Sequence, residues 1–181
     1  MFTTAKYILE HDPAAHSLTT VLLTSPGLHA LFWHRIAHYL AQHRHFLLAE
    51  LIGRHAFHRT GINISPEAQI GHQVFIDHGV DVVIGATAVI EDQVTILHGV
   101  TLGARRNVTG QRHPIVQRGA YIGAHAQILG PVIVGAHSKV GAAAVVLQDV
   151  PRNATVVGNP AHLVHQPTSQ SFTLLPRVSE G

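Results

Sequence analysis

The sequence contains no cysteine, and this absence removes several kinds of chemistry. Without thiols the chain can form no disulfide bond, bind no metal through thiolates and use no cysteine nucleophile. A chain without disulfides is compatible with the cytoplasm, which is the location we predict.

Long apolar runs and dense charge are also missing. No run of about 18 apolar residues is present, so we predict no membrane span. Residues 1–6 lack a basic segment followed by an apolar one, and we therefore predict no signal peptide. Charged residues make up 12% of the chain, and the net charge is +2. The one dense basic run, Arg105-Arg106 with Arg112 nearby, is short, so we expect no nucleic-acid partner.

Aliphatic residues, in contrast, recur at almost every sixth position over more than 80 residues. A period of six fits neither an amphipathic helix nor an alternating strand. It is typical of a parallel β-helix, in which three hexads make one triangular coil with the aliphatic side chain inside. We therefore predict a mainly β fold, with the β-helix domain at residues 61–165. The repeated positions are Ile64, Ile70, Ile76, Ile84, Ile90, Ile96, Leu102, Val116, Ile122, Ile128, Val134, Val140 and Val146.

The two ends of the chain do not follow this period. Apolar residues in the first 60 positions recur at helical spacing, which predicts two or three short helices capping one end of the solenoid. Ser25-Pro26-Gly27 is predicted to begin the first of them. His11-Asp12-Pro13 is predicted to be a turn or a helix start. Residues 166–181 are predicted to be a flexible tail.

The repeat is interrupted at two places, and both carry a histidine beside a charged residue. Ile76 and Ile84 are eight apart, with the extra residues inside 77–81, which contains Asp77-His78. Leu102 and Val116 are fourteen apart, and residues 103–114 hold too few aliphatics for two coil faces. We therefore predict a loop there that leaves the solenoid and carries Arg112-His113. Because insertions add function without disturbing the stack, we place the functional site at these two interruptions.

These motifs, in this order, resemble those of the serine acetyltransferases, a family of hexapeptide-repeat acyltransferases. The resemblance covers about residues 10–165 and implies a left-handed parallel β-helix with a short N-terminal helical cap. The matching segments are Asp12-Pro13-Ala14, Leu28-His29-Ala30, His34-Arg35-Ile36, Gly61–Pro66, Phe75–Gly79, Val100–Gly103, Arg112-His113-Pro114 and Gly141–Ala161.

The resemblance implies an enzyme that transfers acetyl from acetyl-CoA to the hydroxyl of L-serine, giving O-acetylserine for cysteine biosynthesis. His78 then acts as the general base, since a serine hydroxyl needs a neutral imidazole to take its proton. Asp12 and Asp77 hold the amino acid. Arg112 and His113 meet its carboxylate, and His113 is a second candidate for oxyanion stabilisation or proton transfer.

The resemblance also implies that coenzyme A lies in a groove between neighbouring subunits. We therefore expect a homotrimer or a dimer of trimers, with acetyl-CoA as co-substrate and no metal. The family's partner, O-acetylserine sulfhydrylase, binds a C-terminal isoleucine, whereas this sequence ends in Gly181, so we expect no such complex. The residues expected to contact the coenzyme are Gly103, Ala104, Arg105, Arg106, Gly123, Ala124, Gly141 and Ala142.

Several positions depart from the family pattern. Asn63 replaces an aspartate that pairs with the base, and it can accept a hydrogen bond but cannot stabilise an imidazolium by charge. Asp81 is a candidate substitute carboxylate. Ala86, His98 and Ala104 replace a glutamate, a glutamine and a glycine. These departures leave open another hydroxyl acceptor, such as a homoserine-like amino acid or a sugar.

Two alternatives lie outside this chemistry. His78 and His98 are one coil apart and could bind zinc with His72 or His113, as in carbonic-anhydrase-like members of the fold. The chain could also be a non-catalytic solenoid that binds a partner.

Overall fold

The computed structural model describes residues 1–165, so the predicted tail at 166–181 lies outside the described residues. Within residues 1–165 the chain forms four helices, where the sequence predicted two or three. They are α1 (Phe2–His11), α2 (Leu18–Thr24), α3 (Pro26–Gln42) and α4 (Phe46–Thr60). In this part of the chain no helix is both long and apolar enough to cross a membrane.

The helix boundaries follow from local capping. Ser17 precedes α2 and accepts a hydrogen bond from the backbone N–H of Thr20. Ser25 does the same for α3, with Pro26 in the first turn, where its missing N–H costs nothing. The predicted start at Ser25 is therefore real, but it opens the third helix. Helix α4 ends at Gly61, whose φ of 71° is left-handed and unstrained only for glycine.

Fifteen short strands follow within the described residues. Their bounds are β1 (Asn63–Ile64), β2 (Gln69–Ile70), β3 (Phe75–Ile76), β4 (Val83–Ile84), β5 (Val89–Ile90), β6 (Thr95–Ile96), β7 (Thr101–Gly103), β8 (Ile115–Val116), β9 (Tyr121–Ile122), β10 (Gln127–Leu129), β11 (Ile133–Val134), β12 (Lys139–Val140), β13 (Val145–Val146), β14 (Thr155–Val157) and β15 (His162–His165).

Strands that are three apart in the chain pair in parallel, as do β12 and β14, and this pairing makes three sheets around one interior. Sheet A has the order β1-β4-β7-β10-β13, sheet B the order β11-β8-β5-β2, and sheet C the order β15-β14-β12-β9-β6-β3. Among the strands of residues 1–165, only β14 and β15, which close the solenoid, pair antiparallel. The aliphatic residues of the six-residue repeat sit at matching registers, such as Ile64 beside Ile84 and Ile84 beside Leu102.

The interior contains two residues from each hexad. The thirteen aliphatic residues of the repeat are all at most 7% exposed, as the period predicts. The residue two positions earlier also points inward, and here small or branched side chains such as Ala68, Val74 and Ala126 are fully buried. This pairing of a large and a small residue suits the close packing of a narrow interior.

The two interruptions lie at different corners of the prism. The C–A corner (turns 77–82, 97–100, 123–126 and 141–144) links sheet C to sheet A and holds the first interruption. The A–B corner (turns 65–68 and 85–88 and the loop 104–113) holds the second. Gly103 pairs with Leu129 in the sheet, and Pro114 is buried, so the loop outside the prism is 104–113, slightly shorter than predicted.

The helices pack on the first coil, next to the first interruption. Helix α3 approaches β3 so closely that a Cβ on Gly27 would lie 2.1 Å from the carbonyl oxygen of Ile76. Arg35 of the same helix donates to the carbonyl oxygens of Ile70 and Gly71. Helices α1 and α2 bury Ile8 and other apolar residues against Phe75. The helical part thus forms a wall beside Asp77 and His78.

Candidate active site

A cleft of about 210 Å³ lies between α1, α2 and the end of β3. Its polar lining includes three residues predicted for the site, Asp12, Asp77 and His78, and its apolar wall includes Ile8 and Phe75. Asp12 directly follows α1, where its Oδ1 accepts a hydrogen bond from the N–H of Ala14 at 2.8 Å. The end of a helix and the end of a strand therefore bring two carboxylates and an imidazole to one opening.

The backbone of the first interruption presents His78 to this cleft. His78 has a φ of 56°, and two tight hydrogen bonds hold the turn, Gly79 N–H to Asp77 O (2.6 Å) and Val80 N–H to His78 O (3.0 Å). The imidazole remains 78% exposed, and its Nε2 lies 3.8 Å from Oδ1 of Asp77. An accessible imidazole beside a carboxylate suits proton transfer with a small substrate.

Three imidazoles stack along the C–A corner. The His78 and His98 ring centroids are 6.2 Å apart, and those of His98 and His125 are 4.8 Å apart, both edge to face. The predicted stacking of His78 over His98 is therefore present. However, no group of three or more His, Asp or Glu side chains in residues 1–165 is arranged to hold a metal ion. The zinc interpretation thus lacks the ligand cluster that it requires.

A second cleft lies in the extruded loop and contains Arg112 and His113. Its other lining residues are Ala104, Arg105, Arg106 and Asn107. The His113 side chain is only 7% exposed, and its ring lies over Gly85, where a Cβ would be 2.0 Å from Cδ2. Burial, followed by the positive charge of Arg112, lowers the pKa of His113 below its ordinary value. The imidazole is therefore neutral at physiological pH.

Thr87 and Gln111 fix the loop around His113. The Thr87 hydroxyl accepts from the backbone N–H groups of Arg112 (3.0 Å) and His113 (3.1 Å) and contacts Nδ1 of His113 at 2.9 Å. The Gln111 amide donates to the carbonyl oxygens of Thr87 and His113, both at 2.6 Å. The sequence pattern did not point to Thr87, which lies in a regular hexad, or to Gln111, which lies in the second interruption but is neither a histidine nor charged.

Within one chain, the two clefts are separate. His78 precedes β4 at the C–A corner, whereas His113 packs on the turn that follows β4 at the A–B corner. The structure therefore brings Asp12, Asp77 and His78 together and brings Arg112 and His113 together, but it does not join the two groups in one subunit.

The residues predicted to contact the coenzyme divide in the same way. Gly123-Ala124 and Gly141-Ala142 stack at the C–A corner, where a Cβ on Gly123 would lie 2.7 Å from the backbone nitrogen of Ala142. The Ala143 N–H also donates to Ala124 O at 2.8 Å. Residues 103–106 lie instead at the A–B corner, where the loop leaves sheet A.

Asn63 lines neither of these two clefts. It is exposed on β1 and lines a different cleft with Glu50 and Arg54 of α4. No hydrogen bond joins Asn63 to His78 in the described part of the chain, and the carboxylate nearest His78 there belongs to Asp77. Asp81, the candidate substitute, is held in the turn by its N–H bond to Gly61 O at 3.0 Å.

Comparisons with known proteins identify the family. A serine acetyltransferase from Bacillus licheniformis is 47% identical over 159 residues, which cover 88% of this chain and 74% of that protein. The chain belongs to the serine acetyltransferase family. No family model matches it.

Two solved structures of this family superpose closely on the chain. The Brucella abortus serine acetyltransferase in complex with coenzyme A matches at 40% identity with a TM-score of 0.88, over 90% of this chain and 65% of that one. The soybean serine acetyltransferase complexed with serine matches at 43% identity with a TM-score of 0.87, over 90% and 67%. The predicted family and the predicted left-handed parallel β-helix with N-terminal helices are confirmed. The chain is an acetyltransferase, which removes the non-catalytic solenoid from consideration.

Proposed function

We propose that this chain transfers the acetyl group of acetyl-CoA to the hydroxyl of L-serine and so forms O-acetylserine for cysteine biosynthesis. The observation that carries the proposal is one cleft that combines Asp12, Asp77 and His78 in a member of the serine acetyltransferase family. The relatives with coenzyme A and with serine support both substrates.

His78 is the general base. Its neutral imidazole accepts the proton of the serine hydroxyl while the hydroxyl oxygen attacks the thioester carbonyl. The tetrahedral intermediate then collapses, the carbon–sulfur bond breaks, and the imidazolium returns its proton to the departing thiolate. Asp77, whose carboxylate lies 3.8 Å from the ring, favours the charged imidazolium during this step.

The substrate's two charged groups have partners of opposite sign. Asp12 and Asp77 face the same opening as His78 and bind the ammonium group of serine. Arg112, with its planar guanidinium, and His113 bind the carboxylate. A site with both charges favours a zwitterionic amino acid over a sugar.

The complete site forms between subunits of a trimer. The C–A corner of one subunit carries His78 and Asp77, and the A–B loop of its neighbour supplies Arg112 and His113. The same arrangement gives coenzyme A contacts on both sides: Gly123, Ala124, Gly141 and Ala142 at the first corner, and Gly103, Ala104, Arg105 and Arg106 at the second. Asn63 has no part in charge stabilisation in this proposal, because an amide can accept a hydrogen bond from the base and fix its tautomer but cannot stabilise an imidazolium by charge.

The proposal also includes the assembly of trimers into larger particles and the location of the enzyme in the cell. Helix α4 leaves Phe46, Leu47 and Leu51 more than half exposed, which supports further burial in an assembly such as a dimer of trimers. We place the enzyme in the cytoplasm, where acetyl-CoA is available.

An assay of thiol release from acetyl-CoA tests the function, with serine, homoserine and a panel of sugars as acceptors. We expect serine to give the highest kcat/KM. The variant His78→Ala should lose about 100-fold or more in kcat, since general-base catalysis contributes this much. The matched variant His45→Ala changes an exposed histidine of the helical part and should keep full activity. Normal turnover in His78→Ala would show that another group is the base.

A further inference from the structure

The hydrogen bonds around His113 define which of its ring nitrogens carries the proton. The backbone N–H of Thr87 points at Nδ1 at a distance of 3.1 Å. A backbone N–H can only donate, so Nδ1 must be the acceptor. An acceptor nitrogen has no proton, and in a neutral imidazole the proton then lies on Nε2.

The Thr87 hydroxyl leads to the same assignment. Its oxygen already accepts from the backbone N–H groups of Arg112 and His113, at 3.0 and 3.1 Å. Both lone pairs are therefore in use, and the single hydroxyl proton is free to be donated to Nδ1 at 2.9 Å. If Nδ1 carried a proton, that proton would face both the N–H and the O–H of Thr87. The protonated form and the other neutral tautomer are both disfavoured.

We propose that Thr87 is a positioning residue that holds His113 as the neutral tautomer with its proton on Nε2, so that His113 donates a hydrogen bond to a negatively charged oxygen and does not act as a base. This inference rests on the proposed function, in which His78 is the base. The tautomer decides between oxyanion stabilisation and proton transfer, the two roles open to His113. A nitrogen that carries a proton can stabilise an oxyanion or a carboxylate but cannot remove a proton.

The packing of the ring keeps Nε2 available for this task. The Cδ2–Nε2 edge lies over Gly85, where a Cβ would be 2.1 Å from Nε2, so only glycine leaves space for it. In residues 1–165 both hydrogen bonds of the ring use Nδ1, and Nε2 is not among the enclosed atoms that lack a partner. The lowered pKa of His113, caused by burial and by Arg112, keeps the ring neutral as the assignment requires.

The two histidines then divide the reaction. The proton of the serine hydroxyl moves to His78, the new carbon–oxygen bond forms, and the carbon–sulfur bond breaks. The proton then passes from His78 to the coenzyme thiolate. His113 keeps its Nε2 proton throughout and supplies only electrostatic stabilisation, so no proton is unaccounted for.

Glutamine substitutions separate the two roles, since an amide can donate a hydrogen bond but cannot act as a base. We expect His113→Gln to retain at least about ten times the kcat/KM of His113→Ala, whose loss of a donor should cost about 100-fold. His78→Gln should be as inactive as His78→Ala. An active His78→Gln would refute the proposed base without bearing on His113, and a His113→Gln as inactive as His113→Ala would overturn the donor role.

Variants of Thr87 test the positioning itself. Thr87→Val keeps the shape but loses the hydroxyl, and we expect kcat/KM for serine to fall about tenfold or more, while Thr87→Ser restores it. A rise in KM for serine with kcat unchanged would identify the substrate carboxylate as the acceptor. A fall in kcat would identify the oxyanion. The control is Thr155→Val, half-buried on β14, which should change neither constant.

Nitrogen NMR of the intact assembly, labelled at the histidine rings, gives a readout independent of activity and of the folding of any Thr87 variant. The His113 signals are assigned by their loss in His113→Gln. We expect the wild-type ring to show a protonated Nε2 and an unprotonated Nδ1 at pH 7. A protonated Nδ1 would overturn the inference.

Discussion

At the scale of single residues, His34 shows how burial sets the charge of one of the 17 histidines. It lies on α3 and is only 3% exposed. Burial lowers its pKa to about 4, helped by the nearby positive charges of His38 and Arg35. The folded chain therefore holds His34 neutral at pH values where the same group in the unfolded chain is protonated.

This difference predicts acid sensitivity of the fold. Between pH 6.5 and about 4 the unfolded chain binds a proton at His34 and the folded chain does not, so stability is present above pH 6.5 and falls as the pH drops through this window. The contribution is on the order of 3 kcal/mol. We expect His34→Leu to weaken this pH dependence, as measured by urea unfolding at pH 7.5 and pH 4.5.

An exposed histidine provides the comparison for His34. His45→Gln should leave the pH dependence as it is in the wild type, because His45 is exposed in the folded chain. If His34→Leu and the wild type lost the same stability between the two pH values, another group would be responsible.

Some residues of the site were predictable from the sequence, and others were not, for a physical reason. Asp77-His78 and Arg112-His113 could be found because they fall where the period breaks. Thr87 lies inside a regular hexad, and its role comes from a contact with a residue 26 positions away. Asn63 lies inside a regular hexad and could be named only from the family pattern; its side chain is exposed on β1.

At the scale of elements, the solenoid was predictable and the helical part was only partly so. Each hexad buries its aliphatic residue against the equivalent residues of the adjacent coils. The six-residue period therefore predicts both the strands and their register. Helix α1 has no such repetition, and only three of its ten residues, Thr4, Ala5 and Ile8, are buried. Its position depends on contacts with Phe75, which a single sequence does not reveal.

The contact of α3 with β3 predicts that a larger residue at Gly27 destabilises the chain. In Gly27→Ala the new Cβ would lie 2.1 Å from the Ile76 carbonyl oxygen, a backbone atom that cannot move aside. We expect a loss of about 1–3 kcal/mol despite the better helix propensity of alanine. Activity should fall as well, because Ile76 directly precedes Asp77 and His78. Urea unfolding and the thiol-release assay measure the two effects.

Gly53 of α4 is the matched control for Gly27. The nearest atom to a Cβ there is Pro66 Cγ at 3.6 Å, an ordinary contact. Gly53→Ala should therefore stabilise the chain by about 0.5–1 kcal/mol through helix propensity alone. Equal stability changes in the two variants would show that α3 does not press on β3.

At the scale of the whole molecule, the separation of the two clefts leads us to propose that activity depends on the assembly. One subunit presents Asp77 and His78 at the C–A corner. Its own Arg112 and His113 lie at the A–B corner, at the opposite end of the sheet A strands. In a cyclic trimer every contact between subunits is the same, so under the proposed arrangement the C–A corner of each subunit would face the A–B loop of the next.

Mixed assemblies test this arrangement directly. His78→Ala and His113→Ala should each be inactive alone. In a one-to-one mixture refolded together, about one quarter of the contacts in a cyclic trimer pair an intact His78 with an intact His113. We expect the mixture to recover about that fraction of wild-type thiol release, and light scattering should give three times the 19.5 kDa mass of the chain, or six times for paired trimers.

The position of the residues, and not mixing in itself, determines whether activity returns. His78→Ala mixed with Asp77→Ala places both defects at the same corner, so no contact contains an intact pair and the mixture should stay inactive. His113→Ala mixed with Asp77→Ala separates the defects again and should recover activity. A mixture of His78→Ala and His113→Ala that stays inactive although mixed trimers form would mean that the loop carrying His113 reaches the cleft of its own subunit. The site would then be complete within one chain.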